Sequence, residues 1–159
     1  MNTTDRDPVQ GYTDRLGMWF EQIGFQPLAG RLLAWLIVCQ PPRQSSKDLA
    51  IALEASPGAI SAAAKVLTQM SMIERVRVRG DRKTYFHVVP EVWTQRIRAE
   101  MALTVQLRQI AEDGLDVLIR AGHETDSRLE ELREMAAFFE HEFPAVIERW
   151  EASRKKSTL

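Results

Sequence analysis

The 159-residue sequence predicts a mainly α fold of the α+β type, helical throughout except for one two-stranded β-hairpin. Three observations predict it. Apolar residues recur at helical spacing over most of the chain. Two short segments, Ser45-Ser46-Lys47-Asp48 and Ser56-Pro57, each open on a serine placed to cap a helix. From Ile73 the period changes to two, on both sides of Gly80-Asp81-Arg82-Lys83.

Taken in order, residues 1–9 read as a loose, polar N-terminus. Leu16, Trp19, Phe20 and Ile23 give a first helix that ends near Gly24. Pro27 fits the first turn of a second helix, where its missing N–H costs nothing, and Pro41-Pro42 stop that helix near Gln40. In Ser45-Ser46-Lys47-Asp48 the Ser45 hydroxyl and the Asp48 carboxylate are spaced to satisfy each other's amides. The short third helix that follows turns Leu49, Ala50 and Leu53 inward. Ser56 caps a fourth helix with Ile60, Ala63, Ala64 and Leu67 inward and Gly58, Ser61, Ala62 and Lys65 outward. In the hairpin, Val76, Val78, Phe86 and Val88 are expected on one face, with Arg75, Arg77, Arg79, Tyr85 and His87 on the other. Pro90 ends it. A long helix then runs from about Glu91 to Ala121, punctuated by Gly122. The last helix carries Leu129, Leu132, Ala136, Phe139, Phe143, Val146 and Trp150 as a heptad stripe, with a kink expected at Pro144.

Composition narrows the function. The chain is 45% hydrophobic and 27% charged, which suits a folded domain with an ordinary polar surface. Cys39 is its one cysteine, so no intrachain disulfide forms, and a reducing compartment is expected. The N-terminus lacks the basic and apolar regions of a secretory signal. The most apolar run, residues 32–39, is too short to cross a bilayer. These features point to the cytoplasm. Net charge is -1, but residues 43–87 hold eight Lys/Arg against four acids, while residues 88–159 hold ten against fourteen. A cationic working surface on an acidic scaffold follows.

Two short helices, a small-residue helix and a basic hairpin compose a winged helix-turn-helix head over residues 43–90. The major groove of DNA accepts a helix whose leading face is not bulky, and Gly58, Ser61 and Ala62 provide one. Ser61 can reach a base edge or a phosphate, and Lys65 lies one turn on. The helix start at Ser56 and Pro57 offers free amides to a phosphate. Arg79, Arg82 and Lys83 stand at the hairpin tip, where Asp81 can brace an arginine. With Ser45 at the start of the third helix, these residues form the candidate DNA surface. Arg75 and Arg77 read instead as a solvated sheet face.

The runs Gly30-Arg31-Leu32-Leu33-Ala34-Trp35-Leu36-Ile37-Val38-Cys39-Gln40-Pro41-Pro42 and Ser45-x-x-Asp48-Leu49-Ala50-x-Ala52-Leu53-x-Ala55-Ser56-x-Gly58-x-Ile60-Ser61, with Ile73-Glu74-Arg75-Val76 through Tyr85-Phe86, resemble the GbsR branch of the MarR transcription regulators. The resemblance covers roughly residues 12–155. It implies a homodimer on double-stranded operator DNA, usually repressing, often released by a small-molecule effector. It also implies DNA contacts at Ser56, Ser61, Lys65 and Arg82. A dimer suits a palindromic operator, since one winged helix covers one half-site. The helices of residues 10–42 and 91–159 would supply the two-fold contact.

Other chemistries find less support. His87, His123 and His141 lack metal-ligand spacing, and the zinc-protease-like start His141-Glu142 fails at Ala145. No nucleophile, phosphate loop or acid pair assembles, so neither an enzyme nor a cofactor is expected. Cys39 is either a buried thiol or a redox sensor. Trp19, Phe20, Trp35 and Trp93 are the candidate effector neighbours, against the competing reading that they are plain core. A winged helix used for protein contact, in an assembly or segregation complex, shares every feature of the fold.

Overall fold

Among the described residues, three of the six helices begin on proline. The ring fixes φ near its helical value, and the missing N–H would find no partner in a first turn. The computed structural model describes residues 7–124 and 127–157. The expected loose N-terminus therefore falls mostly outside the described residues, and helix α1 (Pro8–Gln22) already begins at Pro8. Asp7 caps α1, its carboxylate accepting from the Val9 amide at 3.0 Å. The remaining helices are α2 (Pro27–Val38), α3 (Ser46–Ala52), α4 (Pro57–Gln69), α5 (Val92–Arg120) and α6 (Ser127–Ser157).

The chain divides into two compact units, Met1–Val92 and Trp93–Leu159. In the first, α2 is the central element. Ala29, Leu32, Leu33 and Ala34 have no exposed surface, and Leu49, Leu53, Ile60, Leu67 and Ile73 close over them. This apolar burial is what holds the unit together. Helix α1 crosses α2 at the glycines Gly17 and Gly30. A Cβ on Gly30 would stand 3.0 Å from the Gly17 carbonyl oxygen and 3.0 Å from the Phe20 Cβ.

The sheet departs from expectation in two ways. It has three strands in the order β1-β3-β2, all antiparallel, because β1 (Gln44–Ser45) adds to the hairpin of β2 (Ile73–Arg77) and β3 (Thr84–Val88). The register also differs. Arg75 pairs with Phe86, and Val76 with Tyr85. Directly paired residues share a face. Arg75 and Arg77 therefore share the face of Phe86 and Val88, while Tyr85 and His87 lie with Val76. Alternation gave each strand's two faces correctly, but not which face of one strand meets which of the other.

The second unit is a helical hairpin. Gly122, at φ +73°, ends α5, and the His123 amide closes its last turn on the Leu118 carbonyl at 3.0 Å. Trp150 Nε1 donates to Thr94 Oγ1, Arg98 pairs with Glu151, and Arg108 with Glu140. The start of α5 meets residues 150 and 151 and its middle meets Glu140, so the helices are antiparallel. Ala111, Leu115, Ala136 and Ile147 are buried between them. Pro144 lies within α6, which continues past it to Ser157. The heptad stripe is only partly covered: Phe139, Val146 and Trp150 keep 37%, 46% and 48% of their surface exposed. Among the described residues no single helix is long and apolar enough to cross a membrane.

The glycine crossing gives a stability prediction. On an exposed helix face, Gly→Ala gains up to about 1 kcal/mol in propensity. At Gly30 the added methyl meets backbone, so overpacking of about 1–3 kcal/mol wins. The Gly30→Ala protein should unfold at a lower denaturant midpoint than wild type, with an unchanged m-value.

Candidate nucleic-acid interface

The site begins at the turn between α3 and α4. Glu54 takes φ +50°, and the Ala55 amide donates back to the Ala50 carbonyl at 3.0 Å. This closure ends α3 and lets α4 leave at 108° to it, within the range of a helix-turn-helix. Ser56 then starts α4, its hydroxyl accepting from the Ala59 amide at 3.2 Å. Such a cap stabilises the helix by about 1 kcal/mol.

Helix α4 has two distinct faces. Ile60, Ala63, Ala64 and Leu67 are buried. Gly58, Ser61, Ala62 and Lys65 are exposed, as are Ser56 and Pro57 at the start. After Pro57 this outward face carries no side chain larger than serine until Lys65.

Ser45 does not belong to this surface. Only 2% of it is exposed, since β1 carries it into the sheet beside β3. Its hydroxyl donates to the Asp48 carboxylate at 2.6 Å and accepts from the Asp48 amide at 3.2 Å. The Ser45 amide also donates to that carboxylate, at 3.0 Å. These bonds complete the capping box and hold the Asp48 carboxyl below its ordinary range. Ser45 is a structural cap whose donors and acceptor are already used.

The hairpin tip is exposed at Arg79, Gly80, Arg82 and Lys83. Asp81 organises it in a way the sequence did not reveal. Its carboxylate accepts from the Lys83 amide at 2.9 Å and from the Tyr85 hydroxyl at 2.7 Å. The carboxylate thus braces backbone and a tyrosine rather than an arginine. The amide bond and then the tyrosine bond lower the Asp81 pKa, and the Asp81 carboxylate raises that of Tyr85. Arg82 and Lys83 are left pointing from a tied loop.

Between α4 and the hairpin lies a cleft of about 410 Å³, lined among others by Ser61, Lys65, Thr68, Arg75, Thr84 and Phe86. Arg75 Nη2 donates to Thr84 Oγ1 at 3.4 Å, on the edge of hydrogen-bond reach. Arg75 is exposed, as expected of a solvated sheet face, and that face borders the cleft with α4. The signal that would have found it is register, which no single strand contains.

The aromatic candidates are divided. Phe20 is core, 1% exposed, packed edge-on against Trp19 at 5.3 Å between centroids. Trp19 and Trp93 are exposed at 51% and 44%, and Trp93 belongs to the second unit. Trp35 is half-buried, and its indole N–H is buried with no acceptor. Cys39 is 4% exposed, and burial pushes its thiol pKa up. A raised pKa disfavours the reactive thiolate. Among the described residues no group of three or more His, Cys, Asp or Glu can hold a metal ion.

Comparison with known proteins supplies the family. A model of the "MmpR5-like MarR family transcriptional regulator" matches residues 91–153. The HTH-type transcriptional regulator MmpR5 of Mycobacterium tuberculosis is 39% identical over 142 residues, 89% of this chain and 86% of that protein. This chain belongs to the MarR family of transcriptional regulators. A crystal structure described as that of a transcriptional regulator is 38% identical, with a TM-score of 0.79 over 92% of this chain and 99% of that one. The matches name an MmpR5-like group rather than the GbsR branch. Regulators of the family bind DNA.

The wing tie gives a second prediction. In the Asp81→Ala regulator, the Lys83 amide should exchange with solvent at least several-fold faster, while core amides keep wild-type protection. The sign with pH follows from the shifts. A depressed carboxyl makes the tie present above the ordinary aspartate range and lost as pH falls through the lowered value. A raised phenol keeps the Tyr85 hydroxyl donating up to and beyond the ordinary tyrosine range. Exchange at Lys83, corrected for intrinsic rates, should therefore lose protection only at the acidic end.

Proposed function

We propose that this regulator is a cytoplasmic repressor that binds a palindromic operator as a homodimer. One observation carries the reading: the bare outward face of α4 and the cationic hairpin tip are both exposed in the first unit, and a cleft joins α4 to the strands of that hairpin. A helix with small leading residues enters the major groove, about 12 Å wide, without steric conflict. Ser61 and Lys65 then approach base edges and phosphates, and the helix start at Ser56, Pro57 and Gly58 offers amides to the backbone. Arg79, Arg82 and Lys83 grip the flanking duplex.

The homodimer is supported by what the second unit leaves uncovered. Phe138, Phe139, Val146 and Trp150 on α6, with Ile110, Val117 and Ile119 on α5, keep between 37% and 66% of their surface exposed. Exposed large apolar side chains along two helices are what an interface between copies would cover. A second copy would cover them and set two reading heads about one helical turn apart. Release by a small molecule is supported by Trp35, whose buried N–H lacks an acceptor that a ligand carbonyl or carboxylate would provide. The relatives that match are regulators.

Two substitutions test the reading. Ser61→Trp places a bulky ring on the leading face and should abolish operator binding in a retardation assay, while sedimentation still shows the wild-type assembly. Normal binding by that variant would refute the assigned face. Arg82→Ala should make the slope of log K against log salt shallower by about one unit if it meets a phosphate. An unchanged slope would place Arg82 off the backbone.

A further inference from the structure

The cleft between α4 and the hairpin joins groups that the sequence keeps apart. Lys65 comes from the reading helix, Arg75 from β2 and Thr84 from β3, while Phe86 is nearly buried beside them. No carboxylate lines the cleft. Among the described residues, neither Lys65 nor Arg75 pairs with an acid, and the one hydrogen bond of the Arg75 side chain goes to the Thr84 hydroxyl. Two cations with hydroxyls and no counter-charge make a seat for an anion.

Position says which anion. On one side of the cleft is the helix face proposed for the major groove. On the other is the hairpin, whose tip would reach the adjacent minor groove as it grips the flanking duplex. The sugar-phosphate strand is what separates those two grooves, so it must cross between helix and hairpin. We propose that this cleft is a phosphodiester seat, in which Lys65 and Arg75 hold one backbone phosphate of the DNA and the Ser61 and Thr84 hydroxyls donate to it. The proposal rests on the DNA-binding reading above and adds Arg75, a strand residue, to the contact surface. Arginine suits the position because its planar fork can bond two phosphate oxygens at once. The Thr84 hydroxyl holds the fork near the cleft before DNA arrives. The contact carries no sequence information, so it sets the register of α4 on the duplex rather than the choice of bases.

The experiment measures duplex binding by fluorescence anisotropy from 50 to 300 mM salt for wild type, Arg75→Gln and Arg15→Gln. Arg15 is exposed on α1 and lies over the Tyr12 ring, outside the cleft. It controls for the loss of one charge from the whole protein. One neutralised phosphate contributes about 0.9 to the slope of log K against log salt. Arg75→Gln should therefore be shallower than wild type by about one unit, equally on selected and random duplex, and Arg15→Gln should match wild type. Replacing phosphates one at a time with methylphosphonate should weaken wild type at one position per half-site where Arg75→Gln loses nothing more. If Arg75→Gln keeps the wild-type slope, the cleft does not hold a backbone phosphate. If inorganic phosphate raises the melting temperature of wild type but not of Arg75→Gln while their DNA slopes agree, the cleft binds a free anion, which also overturns the proposal. If wild type binds no duplex even at 50 mM salt, the DNA-binding reading fails and takes this inference with it.

Discussion

The apolar stripe of α4 determines everything its opposite face can do. Ile60 and Leu67 are wholly buried and Ala63 and Ala64 almost so, packed into the core that α2 centres. Turning the helix by one residue would carry Lys65 or Ser61 toward that core and expose Ile60. Burying an unpaired ammonium is opposed by several kcal/mol or more. The rotation of the helix is thereby set, and with it the row Gly58, Ser61, Ala62 and Lys65 that faces outward. The Ser56 cap and the turn at Glu54 set where the helix starts and the angle at which it leaves α3. The smallness of the outer face has functional content only because the inner face leaves the helix no freedom to roll.

Charge in the two units is handled differently. In the second unit, several cations are paired: Arg108 bonds Glu140 and Glu112, Arg98 bonds Glu151, and Arg96 bonds Glu100. Such exposed pairs add little stability each, but they neutralise the field of the arginines. On the reading head, Lys65, Arg75, Arg79, Arg82 and Lys83 form no ion pair with a carboxylate among the described residues. Asp81 is present at the tip, yet its oxygens are taken by the Lys83 amide and the Tyr85 hydroxyl. Cations left unpaired at this density repel one another, and an anionic partner relieves that repulsion. The acidic balance of the rest of the chain discourages DNA from lying elsewhere.

Much of this was legible in the sequence because it is local. The Ser45 and Ser56 caps, the proline starts of α2 and α4, the two faces of α4 and the heptad stripe of α6 follow from spacing within a few residues. What spacing cannot supply is pairing between distant segments. The strand Gln44–Ser45 is too short to announce itself and exists only because β3 offers an edge. That pairing buries Ser45 and removes it from the DNA surface. The register of β2 against β3 depends on how the loop over residues 78–83 is closed, and the closure depends on Tyr85 reaching back to Asp81. Arg75 is solvated as spacing implies, but only the register puts it on the face of Phe86, beside α4. The heptad stripe was visible, but whether the chain covers it alone required coordinates; Trp150 and Val146 show that it does not.

The central claim is that two copies of one exposed, cationic reading surface meet a duplex at its own pitch. Selection of bound sequences from a random duplex pool tests this most directly. An enriched inverted repeat is expected, with half-sites centred about one helical turn apart, roughly 10 base pairs. Enrichment of a single unrepeated site, or none above the starting pool, would contradict it.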